Sequence, residues 1–285
     1  MRYSIFSVIA SLMLWACDFE SKPADSTESI QYEGKVNYPV GTIFSPPIFS
    51  RGFEYGHEEK DEQGNIYEFR QKNVGELTIP SGNLVIAEPL YFYDQEPIDV
   101  KLKAGTYPVV ISEALIYKGG KVVDKRNALA KIVIDSGEAE SWEYIWTFGV
   151  DGGTGGYIDY QVMKEIISDG KEEKFSNDLL KEFELRHEAP KPFHENHDAY
   201  HQYVNLSYGT GNLIAFSSGW GDGGYHSYIG YDRNGKAVEI LTDLSVIGWN
   251  DKKHLTSKGT GRSNTSTAED THFQWIKLSK TLRQN

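Results

Sequence analysis

Turn sequences recur along the chain between short segments rich in aromatic and β-branched residues, and this pattern constrains the fold more than any other feature. Turns are predicted at residues 61–65, 80–83 and 232–235, each between two strand-like segments. A Lys-Gly-Gly-Lys connection at 118–121 separates two further strands. Glycine and aromatic residues are frequent, and both favour β structure with many tight turns.

The middle of the chain has a different periodicity. Apolar residues recur at helical spacing over residues 159–168 and again over 176–187, and this predicts two helices. Strand-like segments resume after residue 200. We therefore expect an α+β fold, mainly antiparallel β with two central helices, in a single globular domain.

The N-terminal segment predicts export. A basic residue, Arg2, precedes an apolar run that is too short to span a bilayer and is typical of a signal peptide over residues 1–16. Residues 14–17 resemble a lipobox, which predicts that Cys17 carries a lipid with palmitate among its acyl chains. Residues 17–32 are polar and predict a lipidated flexible tether. We expect a lipid-anchored, extracytoplasmic protein of a bacterial cell envelope, on either the inner or the outer membrane.

The rest of the chain divides by composition into two further parts. Residues 33–72 are predicted to form a β-rich N-terminal extension, and residues 73–280 an α+β domain. The formal net charge of −12 would repel phosphate backbones, so no nucleic-acid partner is expected. The expected partners are the membrane, through the lipid anchor, and another protein.

Three glycine-rich segments stand out within the second part. They comprise residues 79–90, with Pro80-Ser81-Gly82 leading to Glu88-Pro89-Leu90; residues 148–159, with Gly149-Val150-Asp151-Gly152-Gly153-Thr154; and residues 211–225, which end in Ser217-Ser218-Gly219-Trp220-Gly221-Asp222-Gly223-Gly224-Tyr225 and are followed by Tyr228-Ile229-Gly230. In these motifs the chain resembles the domain of unknown function 4241 family, over roughly residues 72–245. The family has no established activity, so the resemblance supplies neither a function nor catalytic residues, and the cofactor stays unknown.

The acidic residues of these segments have two interpretations. In one, Gly-Asp-Gly sequences form tight turns in which the carboxylate accepts hydrogen bonds from backbone amides. In the other, Asp151, Asp159 and Asp222 form a carboxylate cluster that binds a hard cation such as calcium or serves as general acid and base. The second segment also leads into a predicted helix, where a glycine-rich loop can bind an anion. No metal site and no cofactor are assigned.

A candidate pocket follows from the same segments. Its predicted residues are Glu88, Asp151, Asp159, Ser218, Trp220, Asp222 and Tyr225.

Three functions remain open from the sequence. The first is a tethered interaction protein, such as an immunity protein against a toxin, because no recognisable catalytic set or metal motif is present. The second is an enzyme of unfamiliar type that uses Asp151 and Asp222, with Trp220 and Tyr225 as aromatic walls for a sugar or peptide. The third is a structural protein of the envelope.

Overall fold

The computed structural model describes residues 38–185, 202–249 and 251–257. The predicted signal peptide, Cys17, the tether and the end of the second part lie outside these residues.

The described residues form thirteen strands, four helices and one 3₁₀ turn. The strands are β1 (Ile43–Phe44), β2 (Glu58–Lys60), β3 (Ile66–Ile79), β4 (Leu84–Ala87), β5 (Gly105–Lys118), β6 (Lys121–Val133), β7 (Ser141–Val150), β8 (Thr154–Asp159), β9 (Tyr203–Tyr208), β10 (Gly211–Ser217), β11 (Gly223–Tyr231), β12 (Ala237–Asp243) and β13 (Leu255–Ser257). The helices are α1 (Ile48–Arg51), α2 (Tyr160–Ser168), α3 (Glu172–Leu185) and α4 (Asp251–His254), and the 3₁₀ turn is Phe92–Asp94.

The strands form two antiparallel sheets. A nine-stranded sheet has the order β13-β1-β7-β11-β12-β6-β5-β3-β2, and a four-stranded sheet has the order β4-β8-β10-β9. Every pairing within the described residues is antiparallel. The prediction of a mainly antiparallel α+β fold is confirmed.

Three apolar cores separate the layers. The first lies between the two sheets and contains Phe148 and Phe216. The second covers the other face of the nine-stranded sheet, where Phe49 of α1 packs edge-on against Trp142 with 5.5 Å between ring centroids. The third lies between the four-stranded sheet and the helices α2 and α3, and it contains Phe175. Both sheets are therefore covered on both faces.

Burial on both faces accounts for the sequence of the central strands. All seven residues of β12 are buried, and its neighbours Ile240 and Leu241 belong to different cores. The strand therefore lacks the apolar–polar alternation of a half-exposed strand, and its buried polar residues are hydrogen-bonded, with Trp142 donating to Glu239, Tyr157 to Thr242 and Trp249 to Asp243.

Strand β3 crosses the boundary that the sequence predicts between residues 72 and 73. It runs without interruption from Ile66 to Ile79 and pairs with β5 along its whole length, with a register shift between Asn73 and Gly75. The predicted boundary between the N-terminal extension and the α+β domain, at residues 72 and 73, falls within this strand. Because β3 passes through residue 72, the residues on both sides of that position belong to the same sheet.

The two longer helices correspond to the predicted ones. Helix α2 begins after Asp159, as predicted, but α3 begins at Glu172, four residues before the predicted start at Ser176. Glu172 and Glu173 occupy the first turn of α3, where negative charge is favourable beside the free backbone N–H groups. Within the described ranges no helix has the length and apolar character needed to cross a membrane.

A buried tyrosine links the two sheets. Tyr157 of β8 is fully buried in the first core, and its hydroxyl lies 2.8 Å from Thr242 Oγ1 and 3.2 Å from the carbonyl oxygen of Ala130, both in the nine-stranded sheet. Thr242 Oγ1 also lies 2.9 Å from Ser227 Oγ. The three hydroxyl groups are thus hydrogen-bonded to one another in an otherwise apolar interior, and they fix the position of one sheet relative to the other.

We expect Tyr157→Phe to lower the free energy of unfolding by about 1 kcal/mol, because the variant loses the link between the sheets while Thr242 keeps Ser227 as a partner. Urea denaturation of the variant and the wild type measures this difference. Tyr55→Phe is the control, since Tyr55 is exposed. Equal losses in the two variants would contradict a specific role for the buried hydroxyl.

Candidate functional site

The three glycine-rich segments meet in space. Glu88, from the first segment, accepts hydrogen bonds from the backbone N–H groups of Asp151 (2.7 Å) and Gly152 (2.6 Å) in the second. The second segment is joined to the third by the backbone N–H of Ser218, which donates to the carbonyl oxygen of Gly153 at 2.9 Å. Segments more than 60 residues apart are thereby held against each other.

A cavity of about 360 Å³ lies where they meet, at the end of β4 and beside the β7–β11 pair. Its volume falls in the range of small-ligand sites. It is lined by Ala87, Glu88, Tyr91, Gln95, Phe148, Gly149, Val150, Asp151, Asp222 and Gly223, a set with three carboxylates and no Lys, Arg or His.

Glu88 braces the cavity wall. Its side chain is buried, and its two carboxylate oxygens each accept one backbone N–H from the turn between β7 and β8. A Cβ atom at position 152 would overlap the Glu88 carboxylate, so only glycine permits this close approach. Burial raises the pKa of the Glu88 carboxyl; the two hydrogen bonds oppose this shift, and the charges of Asp151 and Asp222 add to it.

Asp151 and Asp222 are the exposed carboxylates of the cavity. Asp151 directly follows β7 and Asp222 directly precedes β11, and these two strands pair at that end. Because Glu88 is occupied by the backbone, these two carboxylates are the anionic groups that an incoming ligand meets. Within the described ranges no group of three His, Cys, Asp or Glu side chains is arranged to hold a metal ion.

Asp159 has a separate structural role. It lies at the far end of β8 from Asp151, does not line the cavity, and is fully buried. Its carboxylate caps α2 by accepting the Gln161 N–H at 2.8 Å, and it also accepts the N–H and hydroxyl of Ser81. The structure therefore separates Asp159 from the predicted cluster with Asp151 and Asp222.

The glycine-rich residues of the second segment form a β-hairpin. Strands β7 and β8 flank residues 151–153, so β8 stands between these glycines and the start of α2. The expectation of an anion-binding loop at the helix N-terminus is wrong, because the helix end is already occupied by Asp159.

Ser218 and Tyr225 brace the turn that precedes β11. Both side chains are buried. The Ser218 hydroxyl donates to the carbonyl oxygen of Gly221 at 2.9 Å, and the Tyr225 hydroxyl lies 2.7 Å from the same oxygen. At Gly219, where φ is +36°, a Cβ atom would overlap the Leu244 carbonyl oxygen. These residues shape the turn, and neither Ser218 nor Tyr225 lines the cavity.

Trp220 projects from this braced turn. Its side chain is 47% exposed, and the guanidinium carbon of Arg126 lies 4.0 Å from its ring centroid. Arg126 is buried, bonded to Asp124 at 2.7 Å and to the carbonyl oxygen of Gly219 at 2.8 Å. The tryptophan is therefore held by a cation–π contact on one face.

Sequence reasoning missed Tyr91, Gln95 and Arg126. Tyr91 and Gln95 line the cavity, and Arg126 supports Trp220. Tyr91 follows the Glu88-Pro89-Leu90 motif directly, so its position next to that motif was the available signal. Arg126 lies far along the chain from all three segments, and no local pattern links it to Trp220.

The raised pKa of Glu88 predicts a pH-dependent stability. A carboxyl with a higher pKa in the folded state binds its proton more tightly there, so its contribution to stability is full below its ordinary pKa of 4.5 and is lost as the pH rises through the raised value. Glu88→Gln cannot ionise. We expect the free energy of unfolding of the wild type, measured by urea denaturation at stepped pH, to fall relative to this variant across that range.

The lost acceptor in Glu88→Gln adds an offset that does not vary with pH, and Glu138→Gln, an exposed position between β6 and β7, controls for the change in net charge. A wild type that gains stability relative to Glu88→Gln as the pH rises would contradict the assignment.

Comparison with known proteins gives one match. The family described as protein of unknown function, DUF4241, matches residues 77–242, which span more than half of the chain and include all of the cavity-lining residues. No curated protein and no solved structure matches the chain significantly. The three glycine-rich segments in which the sequence resembles this family are the segments that meet at the cavity. The chain belongs to the DUF4241 family.

Proposed function

We propose that this chain is an exported lipoprotein whose globular domain binds another protein outside the cytoplasm, at the cavity of Glu88, Asp151 and Asp222. The main support for this proposal is that the three carboxylates have different surroundings. Glu88 is buried and accepts hydrogen bonds from the backbone of the turn. Asp151 and Asp222 are exposed at the mouth of the cavity, and no Lys, Arg or His lines it.

An immunity-like role fits this proposal. An immunity protein holds its toxin through a preformed surface and needs no catalytic group, and acidic binding surfaces accelerate association with basic partners. A tethered acidic domain outside the cytoplasm would meet an incoming toxin first.

The binding surface is tested by neutralising it. We expect Asp151→Asn/Asp222→Asn to lose at least tenfold in affinity for the partner, because both charges at the mouth are removed. The partner is first captured with the full-length chain from secreted and envelope proteins, and its affinity is then measured by calorimetry. Glu173→Gln/Glu184→Gln on α3 is the matched control, since it removes the same charge from exposed positions outside the cavity.

Equal affinity of the cavity variant and the wild type would contradict the proposed site. Failure to capture any partner would favour the second candidate, an enzyme that uses Asp151 and Asp222, for which the cavity volume of about 360 Å³ suits a small substrate. An envelope role without a ligand would leave both the capture and a small-molecule screen blank.

The membrane tether is tested at Cys17. We expect Cys17→Ser to move the chain from the membrane fraction to the soluble fraction, because the hydroxyl replaces the thiol that the lipid would modify. Fractionation with labelled palmitate in the growth medium measures both location and modification. Label on the variant, or an unlabelled wild type, would contradict a lipid on Cys17.

A further inference from the structure

Exposed aromatic side chains concentrate beside the cavity. Among the described residues, five large apolar side chains are exposed: Val40, Tyr55, Tyr91, Leu180 and Trp220. Tyr91 directly follows the first glycine-rich segment and lines the cavity, and Trp220, which does not line it, lies in the third segment two residues before Asp222. Exposed aromatic groups next to a recessed polar site are typical of a binding surface.

The position of Trp220 is fixed before any ligand arrives. The turn that carries it is closed by the Gly221 N–H, which donates to the Ser218 carbonyl oxygen at 2.6 Å, and by the buried hydroxyls of Ser218 and Tyr225. Arg126 supports one face of the indole and is itself bonded to Asp124 and to the Gly219 carbonyl oxygen. A side chain that is already ordered loses little conformational entropy when it binds, which is the property of an interface anchor.

The Trp220 indole shields the Arg126 guanidinium from water, but this role does not account for the exposed part of the ring. The indole covers the buried guanidinium, yet 47% of the Trp220 side chain remains exposed. Large aromatic groups that combine an ordered position with an exposed face supply much of the binding energy in protein interfaces.

The charge beside Trp220 selects the ligand. Asp151 and Asp222 are exposed, the lining contains no Lys, Arg or His, and the positive charge of Arg126 is paired with Asp124. Lysine and arginine combine a cation with an aliphatic stem that packs against aromatic rings. A basic polypeptide segment can therefore place a cation at these carboxylates and pack an aliphatic stem against the indole, which lies two residues before Asp222 in the chain.

We propose that Trp220 is the anchor of the binding surface and that its ligand is a basic polypeptide segment, whose Lys or Arg side chains are received by Asp151 and Asp222. This inference rests on the proposed function, that the cavity face binds a protein, and it adds the chemistry of the partner and the residue that holds it.

A basic probe peptide tests both parts. The probe is a fluorescein-labelled peptide of three Lys-Leu-Gly repeats, and its acidic counterpart has Glu in place of Lys. Fluorescence anisotropy with the full-length chain, purified in detergent, measures the affinity of each peptide. We expect the basic peptide to bind and the acidic peptide not to bind, with Trp220→Ala weakening the basic peptide about tenfold and Trp220→Phe weakening it less.

Tyr55→Ala is the matched control, because Tyr55 is also exposed and also contacts an arginine, with the Arg70 guanidinium carbon 5.7 Å from its ring centroid, but it lies outside the three glycine-rich segments. Its affinity for the basic peptide should equal that of the wild type. The urea midpoint of each variant separates a loss of binding from a loss of folding, and Trp220→Phe keeps an aromatic ring should the alanine variant unfold.

The outcomes distinguish the inference from the proposed function. Binding that is lost in Asp151→Asn/Asp222→Asn but unchanged in both Trp220 variants overturns the anchor and leaves the proposed site standing. A captured partner that needs Asp151 and Asp222, together with no binding of the basic peptide, overturns the basic ligand only. Equal binding of the basic and acidic peptides overturns it as well.

Discussion

The candidate site depends on one interaction, the capture of two backbone N–H groups by the buried carboxylate of Glu88. Both bonds are short, at 2.7 Å to Asp151 and 2.6 Å to Gly152, and they join the end of β4 to the turn between β7 and β8. An ionised acceptor makes stronger hydrogen bonds than a neutral one, and these bonds offset part of the cost of burying the charge. Together with the hydrogen bond from Ser218 to Gly153, this link holds the turn that carries Asp151 in place.

The two sheets supply the rigidity that this link requires. Strands β4 and β7 belong to different sheets, and the indole N–H of Trp146 on β7 donates to the Ile86 carbonyl oxygen on β4 at 2.9 Å. Tyr157 ties the same pair of sheets together through Thr242. The cavity thus lies at a junction where polar bonds cross between layers whose bulk is apolar, and such bonds fix geometry that apolar packing alone leaves adjustable.

Local patterns predicted the elements better than the site. The turn at residues 232–235 was predicted because asparagine and glycine adopt its backbone conformation, and the hairpin of β11 and β12 follows from it. The structure separates Asp159 from Asp151 and Asp222, because Asp159 lies at the far end of the short strand β8 and caps α2. The support of Trp220 by Arg126 is a contact between distant positions of the chain, which no spacing in the sequence records.

Some side chains around the cavity are hydrogen-bonded to the backbone and others are exposed, and this difference affects how the surface can evolve. Glu88, Ser218 and Tyr225 turn their polar atoms toward the backbone, so they maintain shape and take little part in recognition. Tyr91, Asp151 and Asp222 are exposed and can be exchanged at small cost to folding, and at position 220 an aromatic ring suffices to cover Arg126. Relatives that keep the first set and vary the second would present one scaffold to a changing series of partners, as an arms race between binder and target demands.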